Sequence, residues 1–216
     1  MLKTKIMKTK LSLILLAFTL FWGINANAQF IVNDPISVAT SISNTVKEIV
    51  QTSKTVKNTL DGFKEVEKLY GDTKKYYDAL KKVNNLIGDA YKVKETLVMV
   101  GDITGIYVEA YKRMLSDKNF RPTELTAMAS GYTRLLELSG ESIKELKSIA
   151  KSGSFSMNDK ERMEMIDRIY EQVKEYKAIT SYYTRKNISV SYVRAKKKED
   201  IRRVQELYGM DEHRFW

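Results

Sequence analysis

Residues able to carry out acid–base, nucleophilic or metal chemistry are few in this sequence. Its 216 residues include one histidine, His213, and no cysteine. A zinc site or a thiolate nucleophile needs residues that the chain lacks. Carboxylates are numerous, but no calcium-binding loop, phosphate-binding glycine loop or G-x-S-x-G elbow occurs. The sequence therefore predicts a protein that is not an enzyme and that holds no metal and no cofactor.

The most concentrated charge is the run RAKKKEDIRR over residues 194–203. A nucleic-acid-binding surface is one interpretation, because clustered lysine and arginine bind phosphates. The other is a solvated helix face, on which Lys196 pairs with Asp200 and Glu199 with Arg203 at i,i+4 spacing. Acidic and basic residues are interspersed along the rest of the chain, which favours the solvated face.

Tyrosine is the residue type that points most clearly to binding. All 13 tyrosines lie at or after Tyr70, some in adjacent pairs such as Tyr182 and Tyr183. Neighbouring helical residues point about 100° apart, so burying both members of a pair is difficult. Tyrosine is enriched at protein interfaces because it joins apolar area to a polar tip. Tyr182, Tyr183 and Tyr192 are therefore candidate partner-binding residues; half-buried tyrosines of an ordinary bundle are the alternative.

Two glycines, Gly101 and Gly105, lie in the apolar segment ETLVMVGDITGIYVEAYKRML over residues 95–115. Their spacing places both on one helix face, where a second helix can approach closely. Glu95 and Asp102 keep the segment amphipathic, which favours helix packing over a membrane contact. Gly101 and Gly105 join the candidate partner-binding residues.

The first 28 residues have the three parts of a secretory signal peptide. The start MLKTKIMKTK carries four lysines and no acidic residue, and the apolar run over residues 11–22 is too short to cross a bilayer. Ala26 and Ala28 then place small side chains where signal peptidase requires them, directly before Gln29. We expect cleavage after Ala28; an uncleaved membrane anchor is the alternative.

The expected mature chain, residues 29–216, has 188 residues, enough for one domain with a hydrophobic core. Losing the four signal lysines lowers its formal net charge from +10 to +6. No later run is long enough for a transmembrane helix. An exported chain without cysteine forms no disulfides, so packing alone holds its fold. We expect a protein of the periplasm, the pilus or the cell surface.

The mature sequence is patterned for long helices. Only two prolines interrupt it, and apolar residues recur at steps of three, four and seven. One heptad-like stripe predicts a helix over about 35–70, with Asp34 as N-cap and Pro35 at the first position. These stripes are coiled-coil-like, although each has gaps.

A second heptad-like stripe predicts a helix over about 156–207. Ser156 and Asp159 resemble a capping box at its start, with Asp in the place usually held by Glu or Gln. The segment NISVSYV alternates like a strand, so a kink or break near residues 185–195 is the alternative to one continuous helix.

The middle region, about 72–152, predicts shorter helices that end near glycines. Gly71 and Asp72 end the first long helix, and Gly88 ends the next segment. The whole is one all-α domain, an elongated bundle of long antiparallel helices. In it the helices from the two ends pack antiparallel with one from the middle, and the shorter helices form a small appendage.

Five blocks of the sequence resemble one family of proteins. They are QFIVNDP, KKYYDALKKVNNLI, VMVGDITGIYVEAYKRMLSD, MNDKERMEMIDRIY and SYYTRKNISVSYVRAKKKEDIRRVQELYG. Together they resemble the TraI-type exported proteins of conjugative transposons, a family long described as a domain of unknown function. In layout more than in matched residues, the chain is also similar to TrbJ-like minor pilus subunits of type IV secretion systems.

The resemblance implies a structural part of a conjugation apparatus that works in the periplasm or at the pilus. Its partners would be other subunits of the apparatus or the pilus, with self-association as a further option and no small-molecule substrate. The name TraI also denotes relaxases, which need a histidine metal cluster that a chain with one histidine lacks. The alternative function is a periplasmic binder of nucleic acid or cell wall that uses the basic residues near the C-terminus.

Cleavage of the signal peptide is directly testable. Protein recovered from the periplasm should begin with Gln29, because Ala26 and Ala28 direct signal peptidase to the bond that follows them. N-terminal sequencing and intact mass measure this, and Ala28→Leu should leave the chain unprocessed. Wild-type protein that keeps residues 1–28 would show an uncleaved anchor instead.

Overall fold

A computed structural model describes residues 35–56, 59–83, 86, 88–150 and 158–210. These residues form six α-helices and no strand. The helices are α1 (Pro35–Thr55), α2 (Leu60–Lys81), α3 (Gly88–Leu115), α4 (Pro122–Ala150), α5 (Asp159–Lys197) and α6 (Ile201–Tyr208). The predicted all-α bundle is confirmed. None of these helices combines the length and apolar character needed to span a bilayer.

Several predicted features lie outside the described residues. They are the signal peptide with Ala26, Ala28 and Gln29, the N-cap Asp34, Ser156 and His213.

The helix directions follow from pairs of contacts between neighbouring helices. Helices α4 and α5 are antiparallel. Glu124, near the start of α4, pairs with Arg194 near the end of α5 at 2.6 Å, and Tyr132, further along α4, hydrogen-bonds to the earlier residue Thr184 at 2.7 Å. Helix α4 is also antiparallel to α1, because its Gly140 faces Val46 whereas its Glu137 pairs with Lys54. The prediction that helices from the two ends pack antiparallel with one from the middle is confirmed.

Helices α3 and α5 run parallel. Lys92 pairs with Asp167 near their starts, and Asp102 accepts a hydrogen bond from Lys177 at 2.7 Å, ten residues further along each helix. Helix α4 is antiparallel to α5 and follows α3 directly in the chain, so it bridges the pair.

The helix predicted over 35–70 is divided in the structure. Helix α1 ends at Thr55, and α2 begins at Leu60 and continues through Gly71 and Asp72 to Lys81. The turn is tight: a Cβ on Gly62 would lie 2.6 Å from the Thr59 hydroxyl oxygen. Gly71 is exposed, and a Cβ built on it would meet nothing within 4 Å. A glycine inside a helix costs about 1 kcal/mol relative to alanine, and α2 nevertheless continues through it. The apolar stripe is buried on both sides of this turn, in α1 and in α2, so the chain can fold back between them without exposing the stripe.

The helix predicted over 156–207 is continuous from Asp159 to Lys197, including the strand-like segment NISVSYV. Its cap is Asn158, whose side chain accepts a hydrogen bond from the Glu161 backbone at 2.9 Å. The Glu161 carboxylate accepts one from the Asn158 backbone at 3.0 Å, which completes a capping box. The predicted use of Asp159 as the acidic partner was therefore wrong by two residues.

A break near 185–195, the alternative to one continuous helix, does not occur. The helix predicted over 156–207 instead ends at Lys197, and a turn separates it from α6. Glu199 adopts a left-handed backbone there, with φ of 57°. The middle region also differs from its prediction, because α3 and α4 are long helices of the core, with 28 and 29 residues. Gly88 begins α3 rather than ending a helix, and the short element of the fold is α6 at the C-terminal end.

The core of the bundle contains an aromatic cluster among its aliphatic residues. Phe63 lies edge-on to Tyr107 and Tyr111, with ring centroids 5.5 and 5.1 Å apart. Tyr107 stacks on Tyr132 at 5.0 Å, and the Tyr111 hydroxyl donates to the Leu125 carbonyl at 3.0 Å. These rings join α2, α3 and α4, so most of their area serves the core.

Gly101 and Gly105 are buried beneath two tyrosines of α2. A Cβ on Gly101 would lie 2.4 Å from Cγ of Tyr77, and one on Gly105 would lie 2.6 Å from the Tyr70 hydroxyl oxygen. The two glycines therefore let aromatic rings lie against the α3 backbone. The expectation of close helix packing at this pair is confirmed, with α2 of the same chain as the packing helix.

Alanine at Gly101 should destabilise the protein, since the added Cβ meets the base of a fully buried ring that cannot rotate away. We expect Gly101→Ala to cost about 1–3 kcal/mol in the free energy of unfolding, measured by urea denaturation. Gly105→Ala should cost less, because the half-buried Tyr70 can move its hydroxyl end.

Gly71→Ala is the matched control on α2. It adds a methyl group to an exposed helix interior with open space and should stabilise the protein by about 0.5–1 kcal/mol. Equal effects of Gly101→Ala and Gly71→Ala would contradict the close contact of α2 and α3.

Candidate partner-binding surface

A continuous row of exposed side chains follows the outer face of α5, at steps of four, three and four residues that repeat along the helix. At about 100° per residue, these positions lie within an arc of roughly 100°. We call this row the α5 strip; it comprises Glu164, Arg168, Glu171, Glu175, Ile179, Tyr182, Lys186, Val190, Val193 and Lys197. It is the face of α5 turned away from α3 and α4.

The C-terminal half of the α5 strip exposes four apolar side chains. Tyr182 is 55% exposed, Ile179 41%, Val190 40% and Val193 36%. Lys186 lies among them, with its ammonium nitrogen 5.6 Å from the centre of the Tyr182 ring. Exposed apolar residues gathered on one face, rather than scattered singly, are typical of an interaction surface.

The pair Tyr182 and Tyr183 divides between surface and bundle. The Tyr183 ring lies edge-on to Tyr132, with centroids 5.1 Å apart, and its hydroxyl would be 2.6 Å from a Cβ on Gly131. Tyr182 points to solvent. The expectation that the two rings cannot both be buried is confirmed, and only Tyr182 is free to meet a partner.

The other predicted partner-binding residues lie in the core. Tyr192 is completely buried, and its hydroxyl donates to the Gly209 carbonyl. Gly101 and Gly105 are covered by α2. Of the five predicted residues, the structure therefore places only Tyr182 on the surface; Tyr183 packs against α4, and the other three lie in the core.

A buried carboxylate that sequence reasoning missed fixes the end of α5. Asp117, in the turn between α3 and α4, is 3% exposed. One of its oxygens accepts hydrogen bonds from Ser191 at 2.5 Å and from Tyr208 at 3.0 Å. Its other oxygen accepts from the Asn119 backbone at 2.9 Å. These bonds offset the cost of burying the carboxylate and attach α6 to the bundle.

Burial of Tyr208 and the negative charge of Asp117 raise the pKa of the Tyr208 phenol, so it stays a hydrogen-bond donor. The signal in the sequence was the Asp117-x-Asn119 spacing, which is typical of a turn stabilised by an aspartate side chain. That spacing predicts the bond to Asn119 but says nothing of the distant residues Ser191 and Tyr208.

Arg194, the first residue of the basic run, is engaged inside the protein. Its guanidinium donates to both oxygens of Glu124, at 2.6 and 2.9 Å, and to the Asn119 carbonyl at 2.7 Å. Helix α5 ends at Lys197, so the residues of the two predicted pairs, Lys196 with Asp200 and Glu199 with Arg203, do not lie on one continuous helix. The contacts of Arg194 remove it from any nucleic-acid face.

Two of the grooves among the described residues border α5. One, of about 360 Å³, lies between α3 and α5, and its lining combines apolar residues such as Ile106 and Ile188 with polar and charged ones, including Glu109, Arg113 and Arg185. The other lies beside the acidic half of the α5 strip, between Glu145 and Glu175. No group of three or more potential metal ligands occurs among the residues that the structure describes.

Comparison with known proteins adds one match. A family described as a domain of unknown function, DUF4141, matches residues 10–63, which include α1 and the first residues of α2. No curated protein matches the chain, and no solved structure does. The match covers about a quarter of the chain and ends well before the α5 strip.

The pair of Glu124 and Arg194 should make stability depend on pH in acid. Hydrogen bonds from the Arg194 side chain and the Arg121 backbone lower the pKa of Glu124 from 4.5 to about 2. Because the folded-state pKa is lowered, the stabilisation is complete above pH 4.5 and is lost as the pH falls towards 2. Glu124→Gln should therefore cost roughly 2 kcal/mol at pH 7, and roughly half of that difference should be gone by about pH 3.

Urea denaturation of the wild-type protein and of Glu124→Gln at several pH values measures this difference in the free energy of unfolding. The control is Glu65→Gln, which removes an exposed carboxylate 3.7 Å from Lys68 and should leave the unfolding free energy unchanged. A wild-type advantage over Glu124→Gln that is constant between pH 7 and pH 3 would contradict a lowered pKa of Glu124.

Proposed function

We propose that this protein is a non-enzymatic assembly component of a conjugative type IV secretion apparatus, exported to the periplasm or the pilus. The observation that carries the proposal is the exposed apolar half of the α5 strip around Tyr182. The signal-peptide features and the resemblance to TraI-type exported proteins support the compartment and the system. The proposed role resembles that of a minor pilus subunit.

The α5 strip is suited to binding a protein surface. Its apolar residues share one face of a helix, which fits the packing of a helix or a flat subunit surface against it. Helix α5 is about 58 Å long and is held by α3, α4 and α6, so the strip is displayed on a preorganised support. Little conformational entropy would be lost when a partner binds.

The alternative is a periplasmic binder of nucleic acid or cell wall that uses the basic turn after α5. Lys196, Lys197, Lys198 and Arg202 are exposed there. Binding through such charges should weaken steeply with added salt, whereas subunit contacts through Tyr182 and the valines should persist. Pull-down of transfer-apparatus subunits at low and high salt separates the two functions.

Deleting the gene in a donor strain should abolish conjugative transfer while nicking at the transfer origin continues. DNA processing is cytoplasmic, and the proposed role lies beyond the inner membrane. The mature sequence with a working signal peptide should restore transfer, but a cytoplasmic version that starts at Gln29 should not. Normal transfer by the deletion strain, or loss of nicking as well, would refute the proposal.

Point variants locate the effect on the α5 strip. Tyr182→Lys should lower transfer about tenfold or more without lowering the melting temperature, because it places charge on the surface rather than in the bundle. Tyr91→Lys is the matched control, since Tyr91 is 44% exposed on α3, outside the strip. His213→Ala should have no effect. Tyr183→Lys should impair transfer by destabilising the fold, because its ring packs on Tyr132.

A further inference from the structure

The α5 strip has a regular repeat that spans both of its halves. Its steps of four, three and four residues occur three times, so Glu164, Glu175, Lys186 and Lys197 are equivalent positions eleven residues apart. An 11-residue repeat keeps side chains on one face of a nearly straight α-helix. The strip is therefore one continuous surface about 50 Å long, available to a second long helix along its length.

The two halves of the strip carry opposite charge. The N-terminal half has Glu164, Glu171 and Glu175 with one basic residue, Arg168, which is paired with Glu145 of α4. The C-terminal half has Lys186 and Lys197 and no acidic residue. Glu164 and Glu171 have exposed partners on α5 itself, Lys160 at 3.8 Å and Lys174 at 3.0 Å. Among the described residues, Glu175, Lys186 and Lys197 have no ion-pair partner. The strip thus holds both members of a complementary pair of surfaces, and these three charges are not neutralised among the described residues.

We propose that the α5 strip binds the α5 strip of a second copy of this chain, antiparallel, about a two-fold axis between residues 180 and 181. This axis places Lys186 opposite Glu175 of the second copy and Lys197 opposite Glu164. Ile179 then faces Tyr182 across the axis, so the apolar residues form the centre of the contact. Under two-fold symmetry each of these contacts occurs twice, once in each direction, and the assembly closes as a dimer.

The remaining positions fit the same arrangement. Val190 lies opposite Glu171, and Val193 opposite Arg168, whose aliphatic stems can cover the valines while their charged ends stay in water. A parallel arrangement would instead place glutamates against glutamates and lysines against lysines, which is repulsive. The charge pattern therefore selects both a second copy as the partner and its antiparallel direction.

Cysteine cross-linking tests the direction of pairing, and the chain has no cysteine to interfere. Glu175→Cys and Lys186→Cys proteins, one carrying a mass tag, are mixed and treated with a short bismaleimide. We expect the mixed dimer to dominate. Each variant alone should cross-link poorly, because two copies of residue 175 would be about 16 Å apart along the axis. Cross-linking of Glu175→Cys alone as efficiently as the mixture would overturn the antiparallel arrangement.

Charge reversal tests the pairing without cross-linking. In sedimentation equilibrium of the purified protein, Lys186→Glu and Glu175→Lys should each raise the dimer dissociation constant about tenfold, because two ion pairs become repulsive. The double variant should return to within about threefold of wild type, since the reversed charges pair again across the axis. Lys47→Glu, an exposed change on α1, is the control and should have no effect.

Three outcomes would overturn the proposal. The protein could remain monomeric at every concentration tested, or the double variant could dissociate as readily as the single ones. In the third, the protein does not self-associate but binds anionic lipid vesicles in a manner that Tyr182→Ser abolishes, which would assign the strip to a membrane surface.

Discussion

The contact between α2 and α3 at Gly101 and Asp102 is the constraint on which the rest of the bundle depends. Gly101 leaves room for the Tyr77 ring against the α3 backbone. The next residue, Asp102, accepts hydrogen bonds from Lys81 of α2 at 2.9 Å and from Lys177 of α5 at 2.7 Å. Burial raises the pKa of Asp102, but these lysines outweigh it and hold the net pKa below its ordinary value. One turn of α3 thereby sets the spacing to α2 and the register of α5.

The register of α5 decides which of its residues face outward. With Lys177 bonded to Asp102, the phenol of Tyr183 meets Gly131, and Ser191 reaches Asp117 further along the helix. Three attachments spaced over about one-third of the helix leave it little freedom to rotate about its axis. The opposite face, which carries Tyr182, is exposed because the inner face is held at several points. The display of the α5 strip is thus a consequence of polar contacts that lie elsewhere in the bundle.

Much of the fold could be predicted from the sequence, because apolar spacing reports burial directly. The heptad-like stripe that predicts a helix over about 35–70 includes Ile42, Val46 and Ile49, and all three are buried. The ends of the helices were harder to predict. Gly71 suggested the end of a helix, but α2 continues through it to Lys81. The candidate site was predicted only in part. Helical spacing alone does not say which of the many tyrosines face inward, and the bonds of Asp117 to residues 74 and 91 positions away leave no local pattern.

The two halves of the α5 strip provide an internal comparison that bears on function. They belong to one helix, share one face and are similarly exposed, yet the first half is charged and the second is mainly Ile, Tyr and Val. These residues are poorer helix formers than Glu or Lys, and each stays 36–55% exposed in the bundle. Helix formation does not account for them, and the core of the bundle does so only in part. The proposed contact with another surface would account for the rest, because it would remove the exposed area of Ile179, Tyr182, Val190 and Val193 from water.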